Sequence, residues 1–434
     1  MVLFYKGGRE ADVKKKEMAV LAAVCAAAVG NLGNMEIIQA FAENGNGKIL
    51  EIEETQEPLS ICVEEENERM MHQIVTAWQK MYGGEQTELI VIPSGEEASK
   101  QKVQEIREAI VSGGGPDLFL AESPNPAWSE PKTVLFSDPE KEMEQGTFLS
   151  LEPYLECFDT KLLEERILTA GRIREEQMVL PMAYDYFLYA FDTENLPQST
   201  ELPETWEELI GRKEKAIRQT AGQRIGMQFF DTFGKLADYE KGELLLSENE
   251  LKEALDEAAE FGSTSLNMDW KIRDTGVVSL NTIGEIAGEK AAHMLFALPN
   301  EEGGITANVT LYAGVNKNTK QPKKAVSFLS LLYSEEVLSG KGILLNGRME
   351  GSGVKFPQGV SVYKKDLERL IRNLSKADQE QMRKIQEKIT TVRFYSELDG
   401  KMNDLLMKYG AQSDEEQKSA LAENAMREWK EFLK

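Results

Sequence analysis

Histidine and cysteine are scarce in this chain, with two and three residues among 434. His72 and His293 lack a Cys/His partner nearby in sequence, so no metal cluster is expected and both read as helix or core residues. Three cysteines cannot build a disulfide framework; Cys62 and Cys157 read as buried thiols, with pairing in an oxidising compartment as the other reading. Basic charge is also short. Fifty Lys and Arg face 74 Asp and Glu, a net charge of −24 with no basic patch. Nucleic-acid binding needs a basic face to neutralise phosphates, so it is excluded as a function. The motifs of a nucleophile elbow, a P-loop, a dinucleotide fold or a zinc protease are missing, so neither an enzyme nor a cofactor is indicated.

What is present suits two lobes, because 434 residues exceed one ordinary core. Residues 14–42 read as an export signal: a lysine cluster, an apolar stretch from Met18 to Val29, and Ala40-Phe41-Ala42 as a cleavage site. An uncleaved anchor, a lipidated Cys25 and a buried helix are the alternatives. Residues 43–57 form an acidic linker. Then "LSICV" and "ELIVIP" read as buried strands, each followed by a helix with apolar residues at helical spacing, and "DLFLA" as a third strand. This βαβαβ unit predicts parallel strands.

In "SGGGPDLFLAESPN", Ser112 to Asn125, Gly113 to Gly115 can take the positive φ that ends a helix and Pro116 forbids its continuation. The chain enters the sheet and presents Glu122, Ser123 and Asn125 at the carboxyl end of a strand, where ligands of open parallel sheets bind; an ordinary polar loop is the other reading. Thr205 with Glu208 makes a capping box for a helix at "TWEEL". Ser247–Phe261 and Lys323–Leu338 read as helices, and Lys364–Lys434 as almost wholly helical with breaks near Gly400 and Gly410. Aromatics lie outside clear core patterns at Trp128, "YDYF" (Tyr184 to Phe187), "QFFDTF" (Gln228 to Phe233), Trp270, Tyr312 and "RFY" (Arg393 to Tyr395). Ring faces beside carboxylates and amides suit sugar recognition, although most aromatics are core residues.

The order of "SGGGPDLFLA", "GTFLSLEPYL", "MVLPMAYDYFLYAFDTENL", "LPETWEEL" and "LYAGVNKNTKQPKKAVSFLSLLYSEEV" resembles the extracellular solute-binding proteins of ABC importers, in the maltose-binding-protein-like group. The resemblance implies an α/β, two-lobe periplasmic-binding-protein-like fold of type II. Each lobe would be a mainly parallel sheet flanked by helices, with a ligand cleft between them and a helical C-terminus. Chain crossings would fall near Tyr184–Tyr186, Val309–Leu311 and Phe356–Val362, giving residues 58–183 and 312–361 to lobe 1 and 184–311 and 362–434 to lobe 2. It also implies a ligand wall at Glu122, Ser123 and Asn125, a hydroxyl-binding Asp185 flanked by Tyr184 and Tyr186, and a stacking ring at Tyr395. Gly284 stands where the family often supplies a Trp in lobe 2; whether Trp270 substitutes stays open.

The function expected on this basis is capture of a sugar or oligosaccharide by a monomeric exported receptor, at the cell surface or in the periplasm. It would deliver the solute to ABC permease subunits at the membrane without cofactor, metal or catalysis. A peptide or polyol receptor, a secreted glycoside hydrolase using two carboxylates, and a sensor or adhesion module on the same fold are the alternatives.

Overall fold

The computed structural model describes residues 57–81, 86–125, 133–192, 196, 200–263, 274–278, 280, 283, 293–339, 343–345, 348–350 and 359–433. The export segment, Trp128, Trp270 and Phe356 lie outside the described residues.

The chain opens as its apolar runs dictate: β1 (Leu59–Glu64), α1 (Glu65–Met81), β2 (Thr87–Ile92), α2 (Glu96–Val111) and β3 (Leu118–Glu122). Both β2 and β3 pair parallel to β1, as right-handed crossovers require. Helix α1 buries Met71, Ile74, Ala77 and Trp78 against this sheet. Gly113 and Gly115 take φ of +85° and +91°, and the N–H of Gly114 returns to the carbonyl of Ala109 to end α2. Asn316 Nδ2 donates to the carbonyls of Gly114 and Pro116, and Asn318 Nδ2 to that of Ile110. The "NKNT" turn, 200 residues downstream, thereby fixes the bend that aims β3.

Strand β4 (Val179–Asp185) belongs to the first sheet and, after Tyr186 and Phe187, β5 (Leu188–Asp192) belongs to a second one, so the chain changes lobe between them. In the second lobe, helix α3 (Lys215–Gln228) packs on a sheet in which β6 (Asp274–Val278) and β7 (His293–Ala297) flank β5, and helix α4 (Glu248–Ser263) packs on α3. The 11-residue β8 (Ile305–Val315), buried throughout, then returns to the first sheet and inserts antiparallel between β3 and β4. Helix α5 (Pro322–Leu332) packs on the first lobe, and β9 (Val360–Ser361) pairs with β4. At Gly359, φ is +74° and a Cβ would lie 2.1 Å from the Tyr184 carbonyl oxygen, so only glycine fits there.

Helices α6 (Lys364–Ile371) and α7 (Lys376–Glu387) and strand β10 (Ile389–Phe394) follow; then α8 (Glu397–Gly410) and α9 (Glu415–Phe432) close the chain. Buried side chains of α6, α7 and β10 pack with the first core, and those from Tyr395 onward with the second. Among the described residues, no helix is long and apolar enough to cross a membrane.

The two-lobe α/β fold and the helical C-terminus are as expected, with three local corrections. Neither sheet is mainly parallel: the first is mixed, with β8 antiparallel to β3 and β4, and the second is antiparallel because β5 leaves the crossing and β7 must run back towards it to feed β8. Residues 364–434 are interrupted by β10, where four consecutive β-branched residues, Ile389 to Val392, favour an extended chain. Gly400 lies inside α8, whose buried Leu398, Met402, Leu405 and Leu406 outweigh the roughly 1 kcal/mol that a helical glycine costs. The cap at Thr205 forms, its side chain accepting from Glu208 N. Cys62 and Cys157 are separate buried thiols; His72 is exposed on α1 and His293 is buried in β7.

Candidate solute site at the lobe crossing

The carboxyl ends of β1 and β3 deliver Glu64, Glu122 and Ser123 to the edge of the first lobe. Asn67, in the first turn of α1, donates to Glu122 Oε1 at 3.0 Å, and Glu122 N donates to Glu64 Oε1 at 3.2 Å. Ser123 N is held by the Thr310 carbonyl at the midpoint of β8. Beside it, Tyr312 stands edge-on in a ladder of rings, 6.5 Å from Phe148 and 5.0 Å from Phe394. Asn125 follows half-buried.

Asp185 closes β4. Its Oδ1 accepts from the backbone N–H of Tyr186 and of Leu280, each at 2.9 Å, tying the crossing to the second lobe. Burial, helped by the negative charge of Asp231, pushes its carboxyl up to about 7 against those two donors. Tyr184 and Tyr186 do not flank it as expected. Alternation along an extended chain turns them to the other face, where the Gln386 amide of α7 joins their hydroxyls at 2.8 and 3.1 Å. Those hydroxyls lock the crossing to α7.

A network only partly visible in the sequence runs from β10, which pairs parallel with β8 of the first sheet, into the second lobe. Arg393, in β10, donates from Nη1 to Asp399 at 2.6 Å and from Nη2 to Asp231 at 3.3 Å, with its guanidinium 5.3 Å from the Phe230 ring. Asn308 Nδ2, from β8, reaches Asp231 Oδ1 at 2.8 Å. Burial raises Asp231 to about 6 even with Arg393 and Asn308 beside it. Tyr395 packs edge-on to Phe230 at 5.6 Å; burial, then Asp231 and Asp185, drive its hydroxyl pKa well up, so the ring sits within electrostatic reach of both carboxylates.

Several buried polar atoms here have no hydrogen-bond partner among the described residues: Ser123 Oγ, Tyr312 Oη, Tyr395 Oη, Asn308 Oδ1 and Arg393 Nε. Ser123, Tyr312 and Tyr395 are 2%, 0% and 1% exposed, and such orphans are costly unless something bonds them. The lobes touch through Arg174 between Glu144 and Glu240 (3.0 Å each) and, beside Arg393 and Tyr395, through Tyr239 on Asp138 (2.8 Å) and Lys235 on Glu140 (3.2 Å). The gap enclosed there, lined by Pro139, Tyr239, Arg393 and Tyr395, holds about 20 Å³. A larger groove of about 650 Å³ runs along β7 and α7. Its edge is capped by side chains: Asp378 accepts from His293 N, Gln381 accepts from Leu295 N and donates to the His293 carbonyl.

Asp185, Tyr395, Tyr312, Glu122 and Ser123 therefore converge on the crossing, and Asn125 follows directly on Ser123. Asp231, Asn308 and Arg393, which join this network, were not among the residues expected from the sequence. An Asn in the middle of the otherwise apolar strand "ITANVTLYAGV" was the available signal, since buried strands rarely carry one. Tyr395→Phe removes only an unbonded hydroxyl, so unfolding stability should hold or rise slightly while solute affinity falls about threefold to tenfold. Chemical denaturation and titration calorimetry on the same variant check both.

No curated protein matches the sequence. Solved structures share the fold at low identity. An extracellular solute-binding protein family 1 member from Alicyclobacillus acidocaldarius is 14% identical, with TM-score 0.55, over 87% of this chain and 100% of that one. A periplasmic oligogalacturonide binding protein from Yersinia enterocolitica is 13% identical, with TM-score 0.55, over 87% and 99%. A cyclic alpha-maltosyl-1,6-maltose binding protein from Arthrobacter globiformis is 14% identical, with TM-score 0.54, over 87% and 100%. The family model for the bacterial extracellular solute-binding proteins matches residues 65–338, a span from α1 past α5 that contains both lobes and the crossing. The chain belongs to the bacterial extracellular solute-binding protein family.

Proposed function

We propose that this protein is the exported receptor of an ABC importer and that it captures a sugar or oligosaccharide between its lobes, without chemistry. The observation that carries this reading is the set of buried, unbonded hydroxyl and amide groups of Ser123, Tyr312, Tyr395 and Asn308, the last bonded through its amide nitrogen to Asp231. Hydroxyl groups of a saccharide both donate and accept, so they can complete each of these atoms. Sugar-binding structures with the same fold support it.

Residues 58–183 and 312–361 form lobe 1 in this reading, and 184–311 and 362–434 lobe 2, with 362–394 seated against both. Residues 1–42 direct export, and the receptor works as a monomer that hands solute to the permease subunits. Binding is a two-state equilibrium between parted and closed lobes, which a solute shifts only through contacts it makes better in the closed form. A melting-temperature screen against neutral, acidic and amino saccharides, peptides and polyols tests it. A ligand bound only by the folded protein raises the midpoint with concentration; a shift given only by peptides would replace the saccharide reading.

A further inference from the structure

We propose, building on the saccharide reading, that the solute carries a protonated amine, as an amino sugar does, and that Asp185 is the counter-charge for it. The crossing is rich in carboxylates: Glu64 and Glu122 on the first lobe, Asp185 at the crossing, and Asp231 and Asp399 on the second. Asp231 and Asp399 are answered by Arg393, whose Nη2 and Nη1 serve them in turn. Its Nε–H has no partner among the described residues and suits a neutral oxygen, such as a sugar hydroxyl.

Asp185 is placed differently. Its two hydrogen bonds come from neutral backbone donors and both fall on Oδ1. Among the described residues, no Lys or Arg is paired with it. A carboxylate in that setting is poorly compensated, as its upward displacement to about 7 reflects.

Two further buried acceptors lie in the same network of charges. Tyr395 Oη and Asn308 Oδ1 are buried and unpartnered; Tyr395 feels the charge of both Asp185 and Asp231, and Asn308 is bonded to Asp231 through its other amide atom. Each can accept a hydrogen bond, as can Oδ2 of Asp185. An ammonium has three N–H donors and a full positive charge, so one group can answer these acceptors and the uncompensated carboxylate together. A neutral hydroxyl brings a single donor and no charge. A uronate or phosphate would add a further negative charge to a carboxylate-rich cleft on a protein of net charge −24.

The test is calorimetric titration at pH 7 with matched disaccharides: the glucosamine dimer, its diacetylated form, a neutral glucose dimer and a galacturonic acid dimer, with spermidine as an amine that is not a sugar. Each is run on the parent protein and on Asp185→Asn, which keeps an acceptor for the Tyr186 and Leu280 N–H groups while removing the charge. The glucosamine dimer should bind at least tenfold tighter than the neutral and acetylated dimers, and Asp185→Asn should abolish that preference, so that the glucosamine and neutral dimers bind alike. Equal or tighter binding of the neutral, acetylated or acidic dimers would overturn the amine inference and leave the saccharide reading standing. Binding of spermidine with no saccharide bound would do the reverse. Binding of none of the five overturns both.

Discussion

Arg393→Ala is expected to lower the free energy of unfolding by about 3–5 kcal/mol, the usual cost of removing one partner from a buried ion pair. The side chain is 3% exposed and bonds two carboxylates that are as deeply buried, Asp231 and Asp399. Without it both must be protonated or stand uncompensated. Asp399 also accepts from Ser396 N at 2.7 Å in the capping box that starts α8, so the loss propagates into the second lobe's helices. Denaturant unfolding followed by tryptophan fluorescence measures it; a loss below about 1 kcal/mol would mean that water already solvates the pair.

Asp185→Ala should weaken solute binding about tenfold to a hundredfold, since a charged acceptor at the crossing is worth roughly 1.5–3 kcal/mol. The same change strands the N–H groups of Tyr186 and Leu280, so stability should fall as well, by about 1–3 kcal/mol for each buried donor left unbonded. Asp185→Asn separates the two effects because it retains an acceptor. A destabilised Asp185→Ala protein that binds solute as tightly as the parent would make Asp185 a structural residue and move the site elsewhere.

Much of the first lobe could be read from local pattern. β1 to β3 are short apolar runs, α1 carries its buried residues at helical spacing, and "GGGP" has one conformational use. The position of Asp185 at the crossing was legible because it lies between tyrosines where the resemblance puts the first crossing. Its neighbours misled for the same reason: the rings of Tyr184 and Tyr186 look like ligand contacts until strand alternation turns them to Gln386.

The second wall of the site was hidden by distance and by abundance. Arg393 and Asp231 are 162 residues apart, and with 74 acidic residues no single Asp stands out. β10 escaped notice because its β-branched run lies between two helices, α7 and α8, so the helical period masked six extended residues. The antiparallel second sheet depends on where the chain must return, which periodicity within one segment does not encode.

Small-angle scattering with and without a confirmed solute tests the central claim most directly. The groups proposed to hold the solute are almost wholly enclosed, and the gap that Arg393 and Tyr395 line takes about 20 Å³, roughly one water molecule. A saccharide can reach them only if the lobes part, so the free protein must populate a wider form. Saturating solute should therefore reduce the radius of gyration, and Asp185→Ala should need more solute for the same reduction. An unchanged radius at saturation would show that solute binds without lobe closure and would contradict a cleft at the crossing.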